Sequence, residues 1–328
     1  MKKIIYKLYY TLRFGGWRYV WLRVAGKPWK SQRATQFLYR KTKETPPEKY
    51  KEQLIRIYGL RTGKKLNLEN PQTFNEKIQW LKLYDANTEL KTRLTDKRLA
   101  REWVAEKIGS QYLIPLLGVW DKFEEVEPDK LPGKFVLKTN HGSGCNVAVT
   151  DKEKVDWAEV KQKFDAWMSI NFAFMGGFEM QYLNIRPCIL AEQYIENENG
   201  NLYDYKIHCF NGKPEYIQVI GDRDLKTHKA REAFYNTQWV LQPFTYTYPR
   251  YDKGKKKPEK LQEMLRIAAA LSRGFLYVRV DLYELEHGEV KFGEMTFTPA
   301  SGMDCWNPPA ADWMLGEKIN ITGKRMDI

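Results

Sequence analysis

Trp157, Val160, Phe164 and Trp167 recur at intervals of three and four, one stripe of a helix expected over residues 155–171. The same spacing predicts helices over residues 48–60, 73–84 and 96–108. The second follows the turn-prone Asn70-Pro71-Gln72-Thr73, and the third stops at Gly109. A further helix is expected over residues 258–273, before Gly274, and a short one near 309–319. Strand patterns occupy residues 112–115 and both arms of a hairpin over 134–150. From Cys188 onward they dominate, at 188–195, 203–210, 213–220, 233–240, 276–285 and 289–298. No internal repeat or low-complexity tract interrupts them, and the basic run over residues 253–260 reads as a solvated loop.

Two of these hairpins carry chemistry. In the first, Phe135-Val136-Leu137 reads as a buried strand leading to Lys138. The turn His141-Gly142-Ser143-Gly144 then precedes Asn146-Val147-Ala148-Val149-Thr150, which alternates like a second strand. In a P-loop the lysine follows the glycines and opens a helix. Here it precedes them, so the turn reads as a flap able to hold an anion. Lys138 is equally a surface lysine in the bland reading, and His141 a capping or packing residue.

In the second hairpin, a two-residue turn at His287-Gly288 would place Asp281 opposite Glu294 and Arg279 opposite Thr296, with Val278, Val280 and Leu282 on the other, apolar face opposite Met295 and Gly293. Paired carboxylates at about 5 Å repel one another. A divalent cation relieves that repulsion, and oxygen donors of this type suit Mg²⁺ completed by phosphate oxygens. The alternative is a solvated sheet face on which the acids repel through water. Lys206 shares a strand face with Asp204 and His208, where it either meets a nucleotide or forms a salt bridge.

Composition narrows the setting. A hydrophobic share of 43% in 328 residues supports a sizeable core in two lobes or domains, and 11 Trp with 20 Tyr argue against disorder. The four cysteines are scattered without a CxxC pair, as in a reduced cytosolic chain. No apolar run approaches the ~20 residues needed to span a bilayer, and the basic start lacks the h-region and cleavage site of a signal peptide. No HExxH, GxSxG or Cys-His signature points to a His-based metal site or a hydrolase.

Charge is unevenly distributed. Residues 1–65 hold 18 Lys/Arg against three acids, whereas the remaining 263 hold 36 against 38. The basic segment is interleaved with Tyr9, Tyr10, Trp17, Tyr19, Trp21 and Trp29, a pattern suited to an anionic membrane surface contacted through residues 1–40. A helical arm packed on the body would also account for it. No nucleic acid is expected, although it would draw on the same charge.

Several stretches together resemble the TupA-like (teichuronopeptide biosynthesis) branch of the ATP-grasp superfamily. They are "NPQTFNEKIQWLKLYD", "TDKRLAREWV", "YLIPLLGVW", "FVLKTNHGSG", "ILAEQYIE", "DYKIHCFNGK", "YVRVDLY" and "FGEMTFTPASG", in order over roughly residues 66–320. The resemblance implies an α+β ATP-grasp fold whose two α+β lobes enclose ATP. It divides the chain into a basic helical segment (1–65), a helical lead-in with the N-terminal lobe and flap (66–187), and a C-terminal lobe with the Mg²⁺-binding hairpin (188–328).

The same resemblance implies phosphate contacts for Lys97 and Lys138, beneath a loop of His141, Gly142, Ser143 and Gly144. It implies an adenine-binding hinge at Glu192-Gln193-Tyr194-Ile195 and a ribose-binding Asp204, with Glu196 as the competitor. Mg²⁺ ligation falls to Asp281 and Glu294, and Arg279 faces the transferred phosphate. Two departures stand out. Glu294-Met295-Thr296 replaces the usual Glu-x-Asn, leaving a threonine hydroxyl to ligate or to hold a metal-bound water. The basic arm and helices also stand where the superfamily has a preceding α/β domain.

The activity implied is ATP- and Mg²⁺-dependent joining of a carboxylate to an amine. In this branch the acid would be a uronic acid or similar carboxylate on a bacterial surface polysaccharide, and the amine an amino acid or amino alcohol. The location implied is cytoplasmic, peripheral to the inner face of the inner membrane. The basic stretch over residues 222–236 is either a solvated loop or an anion clamp, with Arg223 and Arg231 favoured for bidentate binding. The alternatives are a kinase using the same ATP site and a glycosyltransferase, whose DxD-type motif has one match, Asp222-Arg223-Asp224.

Overall fold

Thr73 opens a helix by accepting the Glu76 N–H while the Glu76 carboxylate accepts the N–H of Thr73, a reciprocal cap. That helix belongs to the first of two compact units in the computed structural model, which describes residues 9, 11–12, 32–196, 202–222, 229–251 and 253–322. The first unit gathers the described residues up to Thr88, Asn171–Leu183 and the chain from Thr298 onward. Its helices are α1 (Gln32–Lys43), α2 (Tyr50–Thr62), α3 (Phe74–Tyr84) and α8 (Ala310–Glu317). Phe74 meets Trp306 edge-on, Tyr50 stacks on Phe178, and Asn75 donates its N–H to Asp312. Gly316 lets α8 approach the backbone of α3's start: an added Cβ would lie 2.1 Å from the Gln72 carbonyl oxygen.

Within α3, Lys82 is fully buried. Its ammonium donates to the carbonyls of Gly176 and Ser301 and to the Ser301 hydroxyl at 2.6–3.1 Å, and burial lowers its pKa to about 7. This anchors the turn Pro299–Gly302, in which Ala300 and Ser301 adopt left-handed φ values of 46° and 55°.

The second unit, Glu89–Ile170 with Asn184–Phe297, holds two antiparallel sheets. Strands β1 (Leu116–Trp120), β2 (Phe135–Thr139), β3 (Asn146–Val149) and β4 (Ile189–Gln193) are ordered β1-β4-β2-β3. One face buries Phe135, Leu137, Ile189 and Ala191 against Val160 and Phe164 of α6 (Trp157–Met168). Strands β5 (Asp204–Phe210), β6 (Lys213–Gly221), β7 (Arg231–Asn236), β8 (Tyr277–Glu284) and β9 (Val290–Thr296) are ordered β7-β6-β5-β8-β9. Their Ile207, Cys209, Ile217, Val278, Val280 and Leu282 pack with Val104 of α5 (Leu99–Ile108) and with Met264, Ile267 and Leu271 of α7 (Leu261–Ser272).

Several expectations shift. Residues 110–112 form a 3₁₀ turn, and the strand expected at 112–115 begins at Leu116, after Pro115, which has no N–H to give a ladder. The strand expected at 233–240 runs from Arg231 to Asn236 and ends in a turn where Trp239 takes a φ of 66°. Helix α4 (Glu89–Thr95) was not expected. Strand β4, which follows the boundary drawn at residue 188, is hydrogen-bonded between β1 and β2 in the flap's own sheet.

Candidate functional site

Asp281 pairs with Glu294, and Arg279 with Thr296, as the hairpin reading required. The route differs. Leu285 N–H bonds the Glu289 carbonyl and Gly288 N–H the Leu285 carbonyl, so Glu286-His287-Gly288 is a three-residue loop rather than a two-residue turn. Leu282 then pairs with Phe292, and Gly293 is an extra residue that resets the register at Asp281. The apolar phase of β9 confirms the slip: Val290 and Phe292 are buried, then Met295 and Phe297. Gly293 was expected on the apolar face. It is instead the bulge, where a Cβ would sit 3.1 Å from the Asp281 carbonyl oxygen.

The opposite face of this sheet is densely charged. Asp281, buried, accepts from Arg279 Nε at 2.6 Å and Nη2 at 2.7 Å, and from Lys206 Nζ. Burial pushes its carboxyl up, but the Arg279 and Lys206 charges outweigh this and hold its pKa at about 2. Arg279 Nη2 also reaches Glu294 Oε1 at 3.3 Å and Thr296 Oγ1 at 3.0 Å, while the Thr296 hydroxyl donates to Glu294 at 3.0 Å. Asp204 lies along β5 on the same face, 4.0 Å from Lys206 Nζ. Lys206 thus forms the salt bridge that one reading of its strand face foresaw.

Lys97, just ahead of α5, joins this face to the flap. Its Nζ lies 4.0 Å from Glu294 Oε2 and donates to the Gly142 carbonyl at 2.7 Å. Gly142 and Gly144 both take left-handed φ, 81° and 75°, which favours glycine at the flap's tip. The flap's base is fastened: Asn140 donates to buried Asp96 and to the Arg186 carbonyl, and accepts the Cys188 N–H. His141 is buried, with Nδ1 at 3.3 Å from Asn140 Oδ1 and Nε2 at 3.2 Å from the Ile170 carbonyl, so its ring serves the fold. Ser143 is exposed.

Lys138 and Glu192 share the face of the four-stranded sheet opposite the one that α6 covers, and are joined by a salt bridge. Glu192 is buried and also accepts from Arg101 Nη1 at 3.1 Å. Gln193 gives its N–H to the Pro115 carbonyl, and Tyr194 and Ile195 continue beyond β4. Glu196, the competitor of Asp204, pairs with Lys134 at the surface. Arg231 opens β7 and by alternation shares the face of Ala233 and Tyr235, away from Lys206; its Nη1 reaches the Arg250 carbonyl at 3.4 Å. Arg223 lies outside the described residues, as do residues 1–8, 10 and 13–31 of the N-terminal basic segment.

Sequence reasoning missed Arg101, although it follows Lys97 by one helical turn. It also missed a buried chain beside Arg279. Gln218 Nε2 donates to Glu232 at 2.6 Å, so its Oε1 accepts from His208 Nε2, and Tyr277 donates to His208 Nδ1 at 2.8 Å. Burial, then Arg279, lowers the His208 pKa to about 3, keeping the ring neutral.

Asp281, Glu294 and Thr296 offer hard oxygen donors on adjacent strands, a set that fits Mg²⁺. Among the described residues no three His, Cys, Asp or Glu side chains gather as a metal cage, so a cation here would draw further ligands from a bound molecule or water. Among the described residues no helix is long and apolar enough to cross a membrane.

Comparison with solved structures finds distant likenesses. An L-amino acid ligase from Bacillus licheniformis is 12% identical with a TM-score of 0.41, the match covering 71% of this chain and 52% of that one. D-alanyl-alanine synthetase A from Vibrio cholerae is 15% identical with a TM-score of 0.37, covering 71% and 61%. N5-carboxyaminoimidazole synthetase from Staphylococcus aureus is 13% identical with a TM-score of 0.34, covering 62% and 44%. The chain thus spans about half the length of these proteins. No curated protein matches its sequence. The TupA-like ATPgrasp family matches residues 76–320, three quarters of the chain, a range that includes the glycine turn, strand β4 and the carboxylate hairpin described above: the protein belongs to the TupA-like ATP-grasp family and has its α+β fold.

Proposed function

We propose that the chain is an ATP-dependent ligase that joins a carboxylate to an amine through an acyl phosphate. The observation that carries this reading is the convergence of Lys97, Lys206 and Arg279 on Asp281 and Glu294, three cations placed for a polyphosphate and two carboxylates placed for its metal. Bound magnesium would neutralise phosphate charge and orient the terminal phosphate. Lys97, Lys138, Lys206 and Arg279 hold phosphate oxygens, Glu192 with the backbone through Ile195 receives adenine, and Asp204 the ribose. An acceptor carboxylate oxygen attacks the γ-phosphorus as the bond to ADP breaks. The amine nitrogen then attacks the acyl carbon, phosphate leaves, and the nitrogen gives up a proton. Closure of Gly142–Gly144 keeps water from the acyl phosphate.

The acid in this proposal is a uronic acid or similar carboxylate of a surface polysaccharide, the amine an amino acid or amino alcohol, and the basic segment holds the enzyme at an anionic membrane surface. The test is Mg²⁺-dependent ADP release with acid and amine pools supplied singly and together, with Glu294→Ala as blank. ADP formed only with both supports the ligase. Release with the acid or another acceptor alone favours a kinase, and turnover of nucleotide sugars without ADP a glycosyltransferase.

A further inference from the structure

The cations expected to meet phosphate and the acids expected to meet metal are bonded to each other. Both oxygens of Asp281 are occupied, Oδ1 by Arg279 Nε and Oδ2 by Arg279 Nη2 and Lys206 Nζ. Glu294 Oε1 is shared between Arg279 and the Thr296 hydroxyl, and Oε2 faces Lys97 at 4.0 Å. With Asp204 beside Lys206, three carboxylates balance three cations on one sheet face. Arg279 and Lys206 side chains retain only 12% and 13% of their exposure, so neither can exchange its carboxylate for bulk water without moving.

A cation arriving alone must evict these side chains and leave them buried and unpaired, which is strongly unfavourable. A polyphosphate changes the balance, because its oxygens accept the evicted Lys206 and Arg279. We propose that Lys206 and Arg279 are resident counter-ions that exclude a free divalent cation from Asp281 and Glu294 until nucleotide phosphate draws them off, so that metal enters only together with nucleotide. This rests on the nucleotide-site reading above.

The test is Mn²⁺ titration of the full chain followed by electron paramagnetic resonance, with and without ADP. In the wild type, ADP should tighten Mn²⁺ binding by about 10- to 100-fold, and Mn²⁺ should tighten ADP binding by the same factor. Added phosphate ligands alone would also give that result, so Lys206→Met and Lys206→Gln decide. Either variant should tighten nucleotide-free Mn²⁺ binding by about tenfold and shrink the ADP effect, with native circular dichroism. Lys134→Met removes equal charge from a surface ion pair with Glu196 and should leave nucleotide-free Mn²⁺ binding unchanged. Unchanged nucleotide-free affinity in a folded Lys206 variant overturns the counter-ion proposal while the nucleotide site stands. So does an equal gain in Lys134→Met. Failure of ADP to bind at any Mn²⁺ concentration overturns the nucleotide-site reading and the proposal with it.

Discussion

Asp281 is the residue on which most of the site's charge depends. Removing its negative charge in Asp281→Asn strands Arg279 and Lys206, and should lower folding stability by about 3–5 kcal/mol, read as a shift in urea midpoint at neutral pH. Its pKa is depressed from 3.8 to about 2, so its stabilisation is complete above 3.8 and is lost as pH falls through 2. Asp281→Asn should therefore lack that component of acid sensitivity. His208 gives an independent check. Its folded pKa of about 3 lies below the ordinary imidazole value of 6.5, so stability falls as pH drops from 6.5 toward 3. Nitrogen-15 spectra should show a neutral ring protonated at Nε2 at pH 5; a midpoint above 6 would contradict the hydrogen-bond direction assigned here.

At the scale of elements, two glycines mark close approaches, the tighter at Gly316. Gly316→Ala would press a methyl into the backbone of Gln72–Phe74 and separate α8 from α3, with an expected loss of about 2–4 kcal/mol measured by denaturant midpoint. Gly293→Val meets the Asp281 carbonyl and the Tyr283 ring at 3.0–3.1 Å, and should lose about 1–3 kcal/mol. The bulge was legible in principle, since Val290, Phe292, Met295 and Phe297 change parity at that glycine. The Asp281–Glu294 pairing was anticipated even so, because the longer loop and the extra residue offset each other. Arg101 and the His208 chain were not anticipated, because their partners Glu192, Gln218 and Glu232 lie on strands whose order the local pattern does not reveal.

For the whole molecule, charge and topology were unequally readable. The concentration of basic residues in the first 65 positions is a property of composition. Residues 1–31 carry eight Lys/Arg and no acid, so deleting them should abolish sedimentation with phosphatidylserine vesicles, and ~0.5 M salt should do the same to the full chain. Undiminished sedimentation of the truncated protein would remove the membrane partner from the proposal. The gathering of residues up to 88 with 171–183 and those beyond 298 into one unit has no local signature. It arises from contacts such as Phe74 with Trp306 and Lys82 with Ser301, each spanning more than 200 positions.

Those separations have a consequence in time. Ribosomes add roughly 5–20 residues per second, so α3 emerges on the order of ten seconds or more before Trp306 and α8 exist to cover Phe74 and Asn75. During that interval the second unit can complete both its sheets while the apolar stripe of α3 waits in water. The nascent first unit is therefore the part of the chain most in need of a holding chaperone, and the last to become resistant to protease.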